Sequence, residues 1–177
     1  MRFTETPLKD AYIIEIEPKT DERGMFARAF CQREFEEHGL RTDIVQCNVS
    51  RNVSKGTLRG MHYQLAPFAE VKMVRCVRGA VYDIIVDIRP GSPTYLKWFG
   101  VELTADNRTM LYVPEGFAHG YQALTDDSEV FYMVTQFYAP DFERGIRWND
   151  SLFRIEWPLS DPIVSAKDGT HPDFEVG

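Results

Sequence analysis

The chain is 177 residues long and carries 20 lysines and arginines against 27 aspartates and glutamates, a formal net charge of −7. That balance excludes the basic surface a nucleic-acid binder needs, though a few local cations in a cleft still suffice for a small anionic ligand. With 44% apolar and 13% aromatic residues the composition is globular and of a length for one domain, residues 1–177.

No apolar run approaches membrane-spanning length, and the start, Met1 to Pro7, lacks the apolar stretch of a secretory signal, so a cytoplasmic protein without a membrane partner is expected. Cys31, Cys47 and Cys76 are odd in number and have no CxxC spacing, as expected of reduced thiols.

In chain order, period-two patterning predicts strands over Tyr12–Glu17 and Met25–Cys31, separated by the breaker run Pro18 to Gly24. Gln32–Leu40 is the one stretch that reads as a helix, ended by Gly39. Strands then follow over Asp43–Val49, Thr57–Gln64, Val71–Val77, Ala80–Ile88, Leu96–Leu103, Thr109–Val113, His119–Leu124 and Glu129–Tyr138. Many short strands at even spacing predict an all-β sandwich or barrel. Within Ala80–Ile88, Asp83 and Asp87 share a face with Val81 and Ile85, which suits either a wet exterior or a polar cavity.

Chemistry-bearing residues concentrate in Gly56-Thr57-Leu58-Arg59-Gly60-Met61-His62-Tyr63-Gln64 and around Lys72. Of four histidines, His38 on the helix and His171 in the polar tail read as solvated, whereas His62 and His119 sit in or beside strands. For each strand histidine the alternatives are a hydrogen-bonded structural role and a catalytic or ligand role. Lys72 either points to solvent or steadies an oxyanion, and Arg59 either forms a surface ion pair or holds phosphate.

Pro114-Glu115-Gly116-Phe117-Ala118-His119 resembles the Pro-x-Gly-x-x-His signature of cupin jelly rolls. Metal-binding cupins carry His-x-His on an earlier strand. Here that place reads His62-Tyr63-Gln64, and two imidazoles without a third firm ligand make a poor metal site, so no metal is expected.

Six segments in order carry a closer likeness: Asp21 to Gly24, Val45 to Asn48, Gly56 to Gln64, Lys72 to Cys76, Pro114 to Gly120 and Ser165 to Asp168. Together they resemble the dTDP-4-dehydrorhamnose 3,5-epimerase family over nearly the whole chain. The resemblance implies a cupin-type double-stranded β-helix (jelly roll) with a few short helices. It also implies cofactor-independent epimerisation at C3 and C5 of a dTDP-linked 4-keto-6-deoxy sugar.

By the same resemblance His62 is the base, Asp168 its partner, Lys72 the oxyanion holder and Tyr132 the opposing acid. Arg23 and Arg59 would engage the diphosphate, Gln46 and Asn48 would hydrogen-bond the ligand, and Tyr138 would stack on thymine. His119, Glu143 and Lys167 match further contact positions, and Arg28 stands at a contact position where many members have glutamate. Family members are homodimers that exchange N-terminal strands, which here fall within residues 1–30, while the tail over residues 160–177 contributes to the site. Two alternatives stay open: a 3- or 5-mono-epimerase on a related nucleotide sugar, and a non-catalytic sugar-nucleotide-binding cupin. Arg59 and His62 differ in strand parity, so a bulge near Gly60 is needed to point both into one cavity.

Overall fold

In a computed structural model, which describes residues 1–176, two antiparallel sheets face one another; Gly177, the last residue of the expected tail, lies outside the described residues. Strands β1 (Arg2–Glu5), β2 (Tyr12–Glu15), β5 (Gln46–Asn52), β7 (Lys72–Arg78), β10 (Met110–Val113) and β12 (Ser128–Val134) form the first sheet, in the order β1-β2-β10-β7-β12-β5. Strands β6 (Thr57–Gln64), β8 (Ala80–Asp87), β9 (Trp98–Thr104), β11 (Phe117–Ala123) and β13 (Glu143–Gly145) form the second, in the order β13-β6-β11-β8-β9. A two-residue strand β14 (Ile163–Val164) runs parallel to the start of β6, and β3 (Lys19–Asp21) and β4 (Gly24–Phe26) form a separate hairpin. This is the expected jelly-roll architecture.

The core has three layers. Between the sheets, Val74, Cys76, Leu111 and Val130 of the first meet Val81, Ile85, Leu103 and Phe117 of the second. Outside the first sheet, helix α1 (Gln32–Glu37) inserts Phe35 against Ile14, Met73 and Met110. Outside the second, the segment after β13 lays Ile146, Phe153 and Trp157 over Met61, Ile84 and Val86. Strand β8 is therefore buried on both faces, which settles the place of its two aspartates. Asp83 and Asp87 are wholly buried, Asp83 against His119 and Asp87 against Arg89, Ser92 and Thr94. Neither faces a wet exterior; each is compensated by hydrogen-bonding partners, as a buried carboxylate requires.

Several predicted elements change at their ends. The expected strand Met25–Cys31 keeps extended pairing through Phe26 only, because its partner is the three-residue β3 and the hairpin stands exposed. The helix stops at Glu37, where Gly39 turns the chain at φ +70° and the Leu40 N–H closes onto the Phe35 carbonyl. The last long strand ends at Val134 rather than Tyr138. Just beyond it the Thr135 N–H still reaches the Val71 carbonyl at 3.2 Å, but the returning Val71 N–H donates to Thr135 Oγ1 at 3.0 Å and the Phe137 N–H to Gln136 Oε1 at 2.8 Å.

A bulge in β6 does what the parity argument required. His119 of β11 lies opposite His62 and Tyr121 opposite Arg59, so β6 carries one residue more than β11 over that span. Gly60 makes the bulge, at φ +119°, with its Cα packed so closely on β11 that a Cβ would sit 2.6 Å from Gly120 Cα and 2.8 Å from the His119 carbonyl oxygen.

Candidate active site

The bulge turns Arg59 and His62 toward a cavity of about 320 Å³ between the sheets. The second sheet supplies Arg59, His62 and His119, the first supplies Ser50, Lys72 and Tyr132, and the helical turn α2 (Ala166–Gly169) supplies Asp168 and Lys167. A second lobe of similar volume shares His62, Lys72 and Tyr132 and adds Gln46, Asn48, Tyr138 and Glu143. Alternation along β5 accounts for two of these: Gln46 and Asn48 turn inward and hydrogen-bond at 2.8 Å, while Cys47 and Val49 are exposed.

His62 is the best-defined group. Its Nε2 lies 2.8 Å from Asp168 Oδ1, and Asp168 Oδ2 accepts the Gly60 N–H at 3.1 Å. The carboxylate is itself seated because Ser165 Oγ accepts the Asp168 N–H at 3.0 Å and caps α2. Burial alone would raise the Asp168 carboxyl. The hydrogen bond and charge of His62 and the Gly60 N–H outweigh it and hold the group below its ordinary value. An anionic Asp168 on Nε2 places the imidazole hydrogen there and leaves Nδ1 as the atom able to take a proton.

On the opposite wall Tyr132 is half-buried, and burial, followed by Tyr121 and Glu70, holds its phenol above the ordinary value. It therefore keeps its proton at neutral pH. Lys72 lies beside it with its ammonium 3.3 Å from Glu70 Oε1, largely withdrawn from solvent. Glu70 is a cleft residue that the sequence reading passed over, although it precedes Lys72 by two positions and shares its parity.

Arg59 is held by neutral groups: its Nε donates to Asn52 Oδ1 at 2.9 Å and its Nη2 to the Arg51 carbonyl at 3.2 Å. A guanidinium fixed without a carboxylate keeps its charge for an incoming anion. His119 forms a second imidazole–carboxylate pair, Nε2 to Asp83 Oδ1 at 2.9 Å, almost fully buried. At the mouth, Glu143 Oε2 accepts from Tyr138 at 2.8 Å and from Lys167 at 2.6 Å. These two bonds overcome the effect of burial and hold Glu143 below its ordinary value.

Gln64, where metal-binding cupins have a histidine, is committed elsewhere. Its amide donates to the Phe68 and Phe137 carbonyls at 2.9 and 3.2 Å, and its oxygen accepts the Ala139 N–H at 2.7 Å. It braces the turn that carries Tyr138.

Two expected ligand contacts are not brought to this cleft within the chain. Arg23, on the β3–β4 hairpin, pairs with Asp21, and Arg28 pairs with Glu34 beside α1. One further expectation is overturned. His171 is no solvated tail residue: its side chain is 12% exposed and its ring stands edge-on to His62, centroids 5.6 Å apart.

The model of the dTDP-4-dehydrorhamnose 3,5-epimerase family matches residues 5–175. A Shigella flexneri protein named dTDP-4-dehydrorhamnose 3,5-epimerase is 48% identical over 169 residues, covering 95% of this chain and 93% of that protein. The crystal structure of the Bacillus anthracis 3,5-epimerase with TDP and PPi bound superposes with a TM-score of 0.95 at 40% identity, over 98% of this chain and 99% of that one. The Legionella pneumophila 3,5-epimerase in complex with dTDP-4-keto-L-rhamnose gives 0.91 at 37% identity, over 97% and 92%. The chain therefore belongs to the dTDP-4-dehydrorhamnose 3,5-epimerase family.

Proposed function

We propose that the protein inverts C3 and C5 of dTDP-4-dehydro-6-deoxy-D-glucose to give dTDP-4-dehydro-L-rhamnose by proton transfer alone. The observation that carries this is the His62–Asp168 pair on one wall of the cleft with Tyr132 and Lys72 on the other. The C4 carbonyl acidifies the hydrogens on C3 and C5. His62 Nδ1 takes one as a proton, and the electron pair moves onto the C4 oxygen as an enolate beside the Lys72 ammonium. Tyr132 then delivers its phenolic proton to the opposite face of the same carbon, which inverts the centre. Proton exchange with solvent returns His62 to its neutral form and Tyr132 to its protonated form, so each inversion places one solvent hydrogen on the inverted carbon. Reactant and product have the same oxidation state, and the scheme calls on no cofactor.

Arg59 is positioned for the diphosphate, Gln46 and Asn48 for hydrogen bonds to the ligand, and Tyr138, braced by Glu143 and Lys167, for stacking on the base. We also read the exposed β3–β4 hairpin as a dimer element. Met25 is 45% and Phe26 76% exposed, and Arg23 and Arg28 lie on or beside this arm, which suits a homodimer in which it meets a second copy.

Incubation with the dTDP-linked 4-keto-6-deoxy sugar in D₂O, followed by NMR, tests the proposal. Deuterium at both C3 and C5 with inversion is the expected result. Exchange at one carbon alone would demote the protein to a mono-epimerase, and exchange at neither would leave a binding protein.

A further inference from the structure

His171 reaches the site on an anchored strap. The Pro172 carbonyl accepts the Arg147 N–H at 2.9 Å, Arg147 pairs with Asp173 at 2.7 Å, and the Phe174 N–H donates to Asp150 Oδ2 at 2.7 Å. The Phe174 ring packs on Phe153 at 5.7 Å. These anchors hold the imidazole over β13, where Gly145 leaves room for it: a Cβ on Gly145 would lie 2.3 Å from both Cε1 and Nε2 of the ring. Gly145 is the cross-strand partner of His62, so this space lies behind the base itself.

His171 Nε2 is buried and makes no hydrogen bond, an arrangement that costs free energy. Its nearest acidic group is Asp168 Oδ1 at 3.5 Å, the same oxygen that receives His62. The charged and titratable groups facing it are His62 of β6, Glu143 of β13, and Lys167 and Asp168 of α2, with the Arg147–Asp173 pair along the strap.

We propose, resting on the proton-transfer reading above, that His171 is a positioning residue for the base. Its ring closes the back of the His62–Asp168 pair, keeps water off the shared oxygen Oδ1, and fixes the carboxylate in the orientation that presents His62 Nδ1 to the cleft. Its Nε2–H reaches Oδ1 after a closure of a few tenths of an ångström. The arrangement requires a neutral ring, because a second imidazolium would compete with His62 for one carboxylate. Burial first, and then the charge of His62, hold the His171 imidazole below its ordinary value, against the opposing pull of Asp168.

Two measurements test this. By NMR, the His171 Cε1–H resonance of the wild-type protein should titrate below the ordinary histidine value of about 6.5 and move upward in His62→Asn, since coupled groups report each other's charge. This readout is independent of turnover. In the exchange assay His171→Ala should lower kcat about 10- to 100-fold with little change in KM, the scale of a misplaced catalytic group. Gly145→Ala, which evicts the ring, should match it, and the double variant should be no worse than the more damaged single variant. His171→Gln, which keeps a donor near Oδ1, should recover part of the loss. A His171 resonance at or above the ordinary value that ignores His62→Asn would overturn the proposal, as would wild-type kcat in His171→Ala. A protein that exchanges no hydrogen yet shows the coupled titration would overturn the proton-transfer reading alone and leave the His171 contact standing.

Discussion

Replacing Asp168 by asparagine removes one charge and one acceptor while keeping the shape, and its effect follows from the two bonds the carboxylate makes. Oδ1 receives His62 Nε2 at 2.8 Å and Oδ2 receives the Gly60 N–H at 3.1 Å. An amide has a single oxygen. With that oxygen on the fixed Gly60 N–H, its NH₂ faces His62 and demands a lone pair from Nε2. The imidazole hydrogen is driven to Nδ1, and the lone pair that should meet the substrate is lost. A tautomer error of this kind in a serine protease lowers kcat about 10⁴-fold, equivalent to roughly 5 kcal/mol at about 1.4 kcal/mol per decade. Deuterium incorporation at C3 and C5 should fall by that order in Asp168→Asn, with ligand affinity close to wild type because Arg59 and Lys72 are untouched. Exchange within about tenfold of wild type would refute the role given to Asp168.

Lys72→Met should lower kcat about 100- to 1,000-fold with a smaller change in KM, because in the proposed scheme the ammonium acts on charge that develops only in the enolate; steady-state kinetics coupled to a following reductase would show it. Gly60→Ala should cost both stability and activity, since a Cβ would press to 2.6 Å on Gly120 Cα and the +119° φ is strained for alanine; thermal unfolding and exchange should both report it. Asp87→Asn removes the charge of the wholly buried partner of Arg89, Ser92 and Thr94, while Arg89 keeps Asp10, and should destabilise the protein by about 1.5–3 kcal/mol in denaturant titration. For Asp87 burial raises the carboxyl, but Arg89, Ser92 and Thr94 bring it below its ordinary value, as their counterparts do for Asp168 and Glu143. Folded values below the unfolded ones mean that this stabilisation is present above about pH 4 and is lost as pH falls through the folded values. Wild-type melting temperature should therefore drop steeply below about pH 4, and less steeply in Asp87→Asn.

Much of the scaffold was legible because its strands follow simple alternation. Thr57–Gln64 has the expected bounds at both ends, and Ala80–Ile88 differs by one residue. What alternation left open was burial on a second face: β8 reads as half-polar because Asp83 and Asp87 point into the space between the sheets, where hydrogen-bonding partners satisfy them. The short β1, β3, β13 and β14 carry too few residues for a period to register. The site divides in the same way. His62, Lys72 and Arg59 announced themselves by clustering on two successive strands, Thr57–Gln64 and Lys72–Arg78, whereas Asp168 lies 106 residues from His62 and no local pattern joins them; the family resemblance supplied that link. His171 had no such signal, since its burial depends on Gly145, on the Arg147–Asp173 pair and on Phe174, each trivial when read alone.

The central claim is that protons leave one face of the sugar to His62 and arrive at the other from Tyr132. It is tested most directly by following dTDP-4-dehydro-6-deoxy-D-glucose in D₂O by NMR with His62→Asn and Tyr132→Phe beside the wild type. His62→Asn should abolish deuterium uptake at C3 and C5. Tyr132→Phe should still take up deuterium, but with retained configuration, because the base returns it to the face it came from. Inversion at wild-type rate in Tyr132→Phe, or undiminished exchange in His62→Asn, would contradict it.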